Sequence, residues 1–150
     1  MSQQPNTGVN ALCLLAFMGR GHVPGRGPYK ETVGRAVDAL VAAQQTDGLV
    51  VRAGGNSHGP MYEHALATLA LIEASGWRTD DATRDCCRRA VEVSVGAQND
   101  EGGWRYQPRP ADADLSVTVM QVVTLRAAQG ARFDVPQKTL DNAVRYIKRC

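Results

Sequence analysis

Two carboxylates set one residue apart, Asp112 and Asp114, stand between a Pro-rich stretch and an apolar run in GGWRYQPRPADADLS, residues 102–116. Three kinds of chemistry suit such a pair. A carboxyl kept protonated by desolvation and hydrogen bonding serves as an acid. Two carboxylates without a thiolate make a hard, oxygen-rich site better matched to magnesium or calcium than to catalytic zinc. The third role is structural: Asp114 directly precedes LSVTVMQ, and an acidic residue at a helix start satisfies free N–H groups and complements the dipole. No Ser-His-Asp or Cys-His constellation occurs in readable order. The Gly-rich stretch with Arg20, Arg26 and Lys30 lacks the strand-to-helix context of a phosphate loop and reads as a solvated connection.

The elements that must position these residues are constrained first by composition. At 150 residues, with 43% hydrophobic and 21% charged residues, the chain has the size and balance of one soluble globular domain, residues 1–150. A net charge of +2 gives no reason to expect nucleic acid or an anionic membrane as partner. Cys13, Cys86, Cys87 and Cys150 show no C-x-x-C spacing, so buried free thiols are expected rather than a zinc knuckle or a disulfide framework. The run ALCLLAFMG lacks a preceding Lys or Arg and is too short to span a bilayer. It begins after Asn6-Thr7, a plausible N-cap, and a cytoplasmic location is expected.

Internal repetition decides the architecture. RAVDALVAAQ, RAVEVSVGAQ and NAVRYIKRC align on Ala36, Ala90 and Ala143, at intervals of 54 and 53 residues. Ahead of each lies a second apolar-periodic segment, VNALCLLAF, EHALATLAL or SVTVMQVVTL. Apolar residues recur at three and four spacing in both members, which predicts helices rather than strands. The expected helices span about 7–18, 31–44, 61–75, 80–97, 114–128 and 136–149, in repeats of about 5–58, 59–111 and 112–150. Gln98, Gly102 and Trp104 form Q-x-x-x-G-x-W; Gln44, Gly48 and Val50 repeat it with Val in place of Trp. Gln can bond the turn, Gly supplies a positive φ and Trp covers the helix end, which describes a structural clasp between repeats.

This Gln-Trp motif resembles that of the squalene–hopene cyclase and protein prenyltransferase superfamily. GHVPGRGPY, NSHGPMYEHALATLAL and GGWRYQPRPADADLSVT are similar to its bacterial prenyltransferase/squalene-oxidase-repeat proteins. The resemblance implies an all-α fold of three helical hairpins, half of an α/α toroid, with the first helix of each pair inner and the second outer. Neither end offers an obvious polar cap. The expected object is therefore an arc of a larger assembly, cut from a longer chain or closed into a ring by a second copy.

The resemblance also implies roles for residues. Asp112 and Asp114 match the first two acids of the cyclase Asp-x-Asp-Asp motif, the second being the proton donor, while Leu115 replaces the last. On the prenyltransferase alignment they take the place of two zinc ligands, with Asp for Cys and with His64 as the third candidate. Tyr62, Glu63 and His64 would open the second inner helix beside Asp114. Trp104, Tyr106 and Met120 would supply walls for an isoprenoid chain or cation. The expected ligand is an apolar, isoprenoid-like small molecule, and no cofactor is expected, a divalent metal at Asp112 and Asp114 being only the lesser alternative. The alternative is a non-catalytic protein- or lipid-binding scaffold.

Overall fold

The computed structural model describes residues 6–52 and 59–150. Residues 53–58, which include the first three of NSHGPMYEH, lie outside the described residues, as do residues 1–5. Among the described residues the chain is all-α, with six helices: α1 (Thr7–Gly19), α2 (Lys30–Ala42), α3 (Pro60–Ser75), α4 (Asp81–Gly96), α5 (Leu115–Gly130) and α6 (Gln137–Ile147). No strand pairs into a ladder there; Val23 with Arg26 and Gln44 with Val50 make isolated bridges only.

Helix starts follow from local chemistry. Asn6 accepts the Val9 N–H at the start of α1, Asp80 that of Thr83 at α4, and Asp114 that of Val117 at α5. Pro60 occupies the first turn of α3, where its missing N–H costs nothing.

The odd helices pack in sequence, α1 on α3 and α3 on α5, as the most extensive contacts of the fold. Each even helix packs on its own odd helix, and α2 and α4 also reach the next one, so the elements form two layers. The sequences explain this division. Helices α2, α4 and α6 are amphipathic with one buried stripe, whereas α3 is apolar around most of its circumference and buries Met61, His64, Ala65, Ala67, Thr68, Ala70, Leu71, Ile72 and Ala74.

Repetition extends to individual hydrogen bonds. The Gln44 amide donates to Gly48 O at 3.0 Å and to Cys86 O at 2.9 Å; the Gln98 amide donates to Gly102 O at 2.9 Å and to Thr139 O at 2.8 Å. Each Gln thus ties its own turn to the next even helix, the clasp expected from the motif. Gly48 (φ 92°) and Gly102 (φ 91°) both sit in the left-handed region. A Cβ on Gly102 would lie 2.6 Å from Asn142 O, so the turn needs glycine for space as well as for conformation.

The cysteine expectation holds for two of four. Cys86 and Cys87 are buried and Cys13 and Cys150 exposed, all four thiols free. Burial pushes the Cys86 thiol up to about 11 and that of Cys87 to about 12. The repeat explains the exposure of Cys13: it lies on the side of α1 away from α3, which no described helix covers.

Candidate binding groove on the odd-helix layer

The candidate site is a groove along the odd helices, with a cavity volume of about 590 Å³. Leu15, Leu69 and Val123 line it from α1, α3 and α5, and Gly19, Glu73 and Ala127 line it one turn further on. Both sets are spaced by 54 residues, so three repeats contribute one helical position each. Met18, Val23 and Trp77 add apolar wall, and Arg26 joins Glu73 as the charged groups of the lining. Trp77 is 55% exposed. The same face continues one turn toward the helix starts through Leu12, Leu66 and Met120, and then through Tyr62. The volume falls in the range of small-molecule sites, which combine apolar walls with a few orienting polar groups.

The residues singled out in the sequence separate into three groups. Tyr62 and Met120, both half-buried, lie on the helix face that forms the groove, below its lining residues. Trp104 does not line it as the resemblance implied, and serves instead in the clasp that the Gln-Trp motif predicts. It is fully buried, its indole N–H donates to Ser94 O at 2.7 Å, and its backbone N–H donates to Thr118 Oγ1 at 3.0 Å. The indole satisfies a carbonyl in the last turn of α4, so the residue is spent on holding repeats together. Tyr106 is 41% exposed and stacks near Arg105, while its backbone packs against Gly59 at the start of α3. Glu63 lies against Gly8 of α1.

His64 also departs from its expected place as wall or ligand. It is fully buried. The Val50 N–H donates to its Nδ1 at 3.0 Å, so Nε2 carries the proton and donates to Ala90 O at 3.1 Å, with Ser94 Oγ at 3.2 Å. Both ring nitrogens are engaged, and desolvation pulls the imidazole down to about 4. Repeat positions make sense of this. Asn10, His64 and Thr118 are spaced by 54 residues. Asn10 donates to Ala36 O as His64 does to Ala90 O, and Thr118 accepts from Trp104 N as His64 does from Val50 N. The large His64 pairs with the small Val50, and the small Thr118 with the large Trp104. Residue types alone do not link this trio; the 54-residue interval is the sequence signal that does.

The acidic pair does not converge on one point. Asp112 is exposed and pairs with Arg105. Asp114 accepts from Val117 N at 3.0 Å and from the Ser116 hydroxyl, and these two hydrogen bonds hold its carboxyl below the usual carboxylate range. Alkene protonation needs the opposite, a carboxyl kept protonated. Asp114 also lies 108 residues after Asn6, the cap of α1, and performs the same task. Along α5 it is about 13 Å from Val123 and about 20 Å from Ala127, at the end remote from the groove's charged lining. Among the described residues, no three or more His, Cys, Asp or Glu side chains gather as a metal-binding group.

No protein-family model matches the chain, and no curated protein matches it either. Among the described residues no helix is long and apolar enough to cross a membrane.

Proposed function

We propose that this chain is a binding module for an apolar, isoprenoid-like small molecule, held in the groove of the odd-helix layer without chemical conversion. The observation that carries this reading is the repeated lining: Leu15, Leu69 and Val123 present one apolar rung from three consecutive repeats, flanked by Leu12, Leu66 and Met120. Burying such a face on a chain-like ligand is favourable in proportion to the apolar area covered. Arg26 and Glu73 lie where a polar end of the ligand would be oriented.

Kinship with the squalene–hopene cyclase and prenyltransferase superfamily, and a toroid curvature of the two layers, belong to this proposal. They rest on the Gln-Trp clasp and on the helix-pair interval. Non-catalytic binding is favoured over cyclase chemistry because Asp114 is an ionised helix cap, and over metal chemistry because Asp112 pairs with Arg105 and both nitrogens of His64 are occupied. Free thiols at Cys86 and Cys87 accord with a reducing, cytoplasmic setting.

The test uses Trp77, which lines the groove, as reporter, with the Trp77→Phe variant separating its signal from that of buried Trp104. Titration of the chain with farnesol is expected to change the Trp77 emission saturably. Leu69→Asp is expected to weaken binding by about tenfold or more, since it places a charge on the central rung. An emission that never saturates, or identical titrations for the wild type and a folded Leu69→Asp variant, would remove the groove as the ligand site.

A further inference from the structure

The exposed apolar residues of α1 and α5 have counterparts that are buried one repeat away. The odd helices meet through two faces. One, turned toward the next odd helix, consists of Thr7, Ala11, Leu14 and Met18 on α1 and of Met61, Ala65, Thr68 and Ile72 on α3, at 54-residue intervals; all are buried except half-buried Met18. The other, turned toward the preceding odd helix, consists of Glu63, Ala67, Ala70 and Ala74 on α3 and of Val117, Gln121, Thr124 and Ala128 on α5, all buried except half-buried Glu63. Contacts fix this assignment. Gln121 Nε2 donates to Met61 O at 3.1 Å, Thr124 Oγ1 donates to Ala65 O at 3.0 Å, and Glu63 lies against Gly8.

Carrying each face one more step gives the faces of α5 and α1 that no described helix covers. The forward face of α5 is Leu115, Val119, Val122 and Arg126, with Leu115 43% and Val119 42% exposed. The backward face of α1 is Val9, Cys13, Ala16 and Arg20, all exposed, with Val9 at 55%. Both faces are apolar over three helical turns and end in an arginine. Each has the helical positions of a joint that the fold already makes twice.

We infer that these two faces bind each other between copies of this chain, the forward face of α5 in one copy meeting the backward face of α1 in the next. The partner is a second copy because the chain carries both halves of the joint. By the pairing of Met61 with Gln121 and of Ala65 with Thr124, Leu115 meets Cys13 and Val119 meets Ala16 of the neighbour. The contact is head-to-tail, so it either closes into a ring or continues. Arg20 and Arg126 fall at the same end of the joint. Their like charges oppose it, and screening by salt relieves the opposition, so association tightens as ionic strength rises.

The joint does not depend on the ligand reading, and a complementation experiment tests it alone. Val119→Asp blocks the forward face and Ala16→Asp the backward face, each at an exposed position that leaves the fold to itself; helical circular dichroism checks this. Light scattering on the size-exclusion peak is expected to give the wild type a mass of at least twice 16.1 kDa. Each variant alone is expected at 16.1 kDa. An equimolar mixture, which restores one intact joint between one copy of each, is expected to return to a dimer. A wild type that stays monomeric from micromolar to millimolar concentration in high salt overturns the inference. So does a mixture that stays monomeric, or a single variant that still assembles.

Discussion

His64 shows how a residue type that suggests chemistry is used for support. Its imidazole is neutral, with the proton on Nε2, and joins Val50 in one connection to Ala90 in α4. Because its folded value of about 4 lies below the unfolded 6.5, the folded state prefers the neutral ring. The resulting stability is fully present above pH 6.5 and is lost as pH falls toward 4, by roughly 3 kcal/mol in all. Urea unfolding at a series of pH values is expected to show this loss, and His64→Asn, which copies Asn10 of the first repeat, is expected to remove most of its pH dependence. Asp114 is tested in the same way. Asp114→Ala is expected to cost about 1 kcal/mol while Asp114→Ser restores most of it, the pattern of an N-cap. Among the described residues the buried Thr68 hydroxyl has no partner, so Thr68→Val is expected to raise stability, by about 1 kcal/mol in denaturant titration.

At the scale of elements, the clasp between even helices is the device that sets one hairpin against the next. Gln98 links the turn at Gly102 to Thr139 in α6, and Arg149 adds a bond to Glu101 O at 2.8 Å. Gln98→Leu removes the two hydrogen bonds the amide donates and the 3.5 Å bond it accepts from Asn142 Nδ2, and leaves Thr139 O without this donor; a loss of about 2 kcal/mol is expected in thermal or urea unfolding. Gly102→Ala is expected to cost at least as much, since φ is 91° and the added methyl meets the Asn142 backbone. If the clasp were decorative, both variants would unfold with the wild type. Other joints are electrostatic: Arg78 bridges Asp38 on α2 and Asp80, the cap of α4, and pulls Asp80 further below its ordinary range than the Thr83 N–H does alone.

At the scale of the whole molecule, the same 54-residue interval produces a layered scaffold, a groove and two exposed end faces. The groove is the odd-helix layer seen from the side that the even helices leave open. Its rungs are apolar because each repeat places an aliphatic residue or methionine at the same helical positions: Leu12, Leu66 and Met120, then Leu15, Leu69 and Val123. The end faces are apolar for a related reason, since they keep the composition of a joint where no described helix covers them. Ligand binding and self-association are therefore separable: Leu69→Asp is expected to weaken the first and leave the mass of the chain unchanged, which light scattering checks.

The helices were legible in the sequence to within two residues at every end, because a three-and-four apolar rhythm, Asn and Asp caps and Gly-Pro punctuation act locally. The Gln clasp was legible too, since its donor and its turn lie four residues apart. What the helices' neighbours decide was not. Whether Trp104 faces a cavity or a core depends on Ser94 and Thr118, which reach it only through packing. By sequence Asp114 reads first as a helix cap with an acid role still open beside it, and only its partners, two hydrogen bonds to an ionised carboxyl, decide between the two. Burial of His64 comes from α3 being enclosed by α1, α4 and α5, a property of the layers rather than of the residues beside it. Local periodicity determined the elements; the long-range contacts between repeats decided which polar groups are solvated, and hence which are left to meet a ligand.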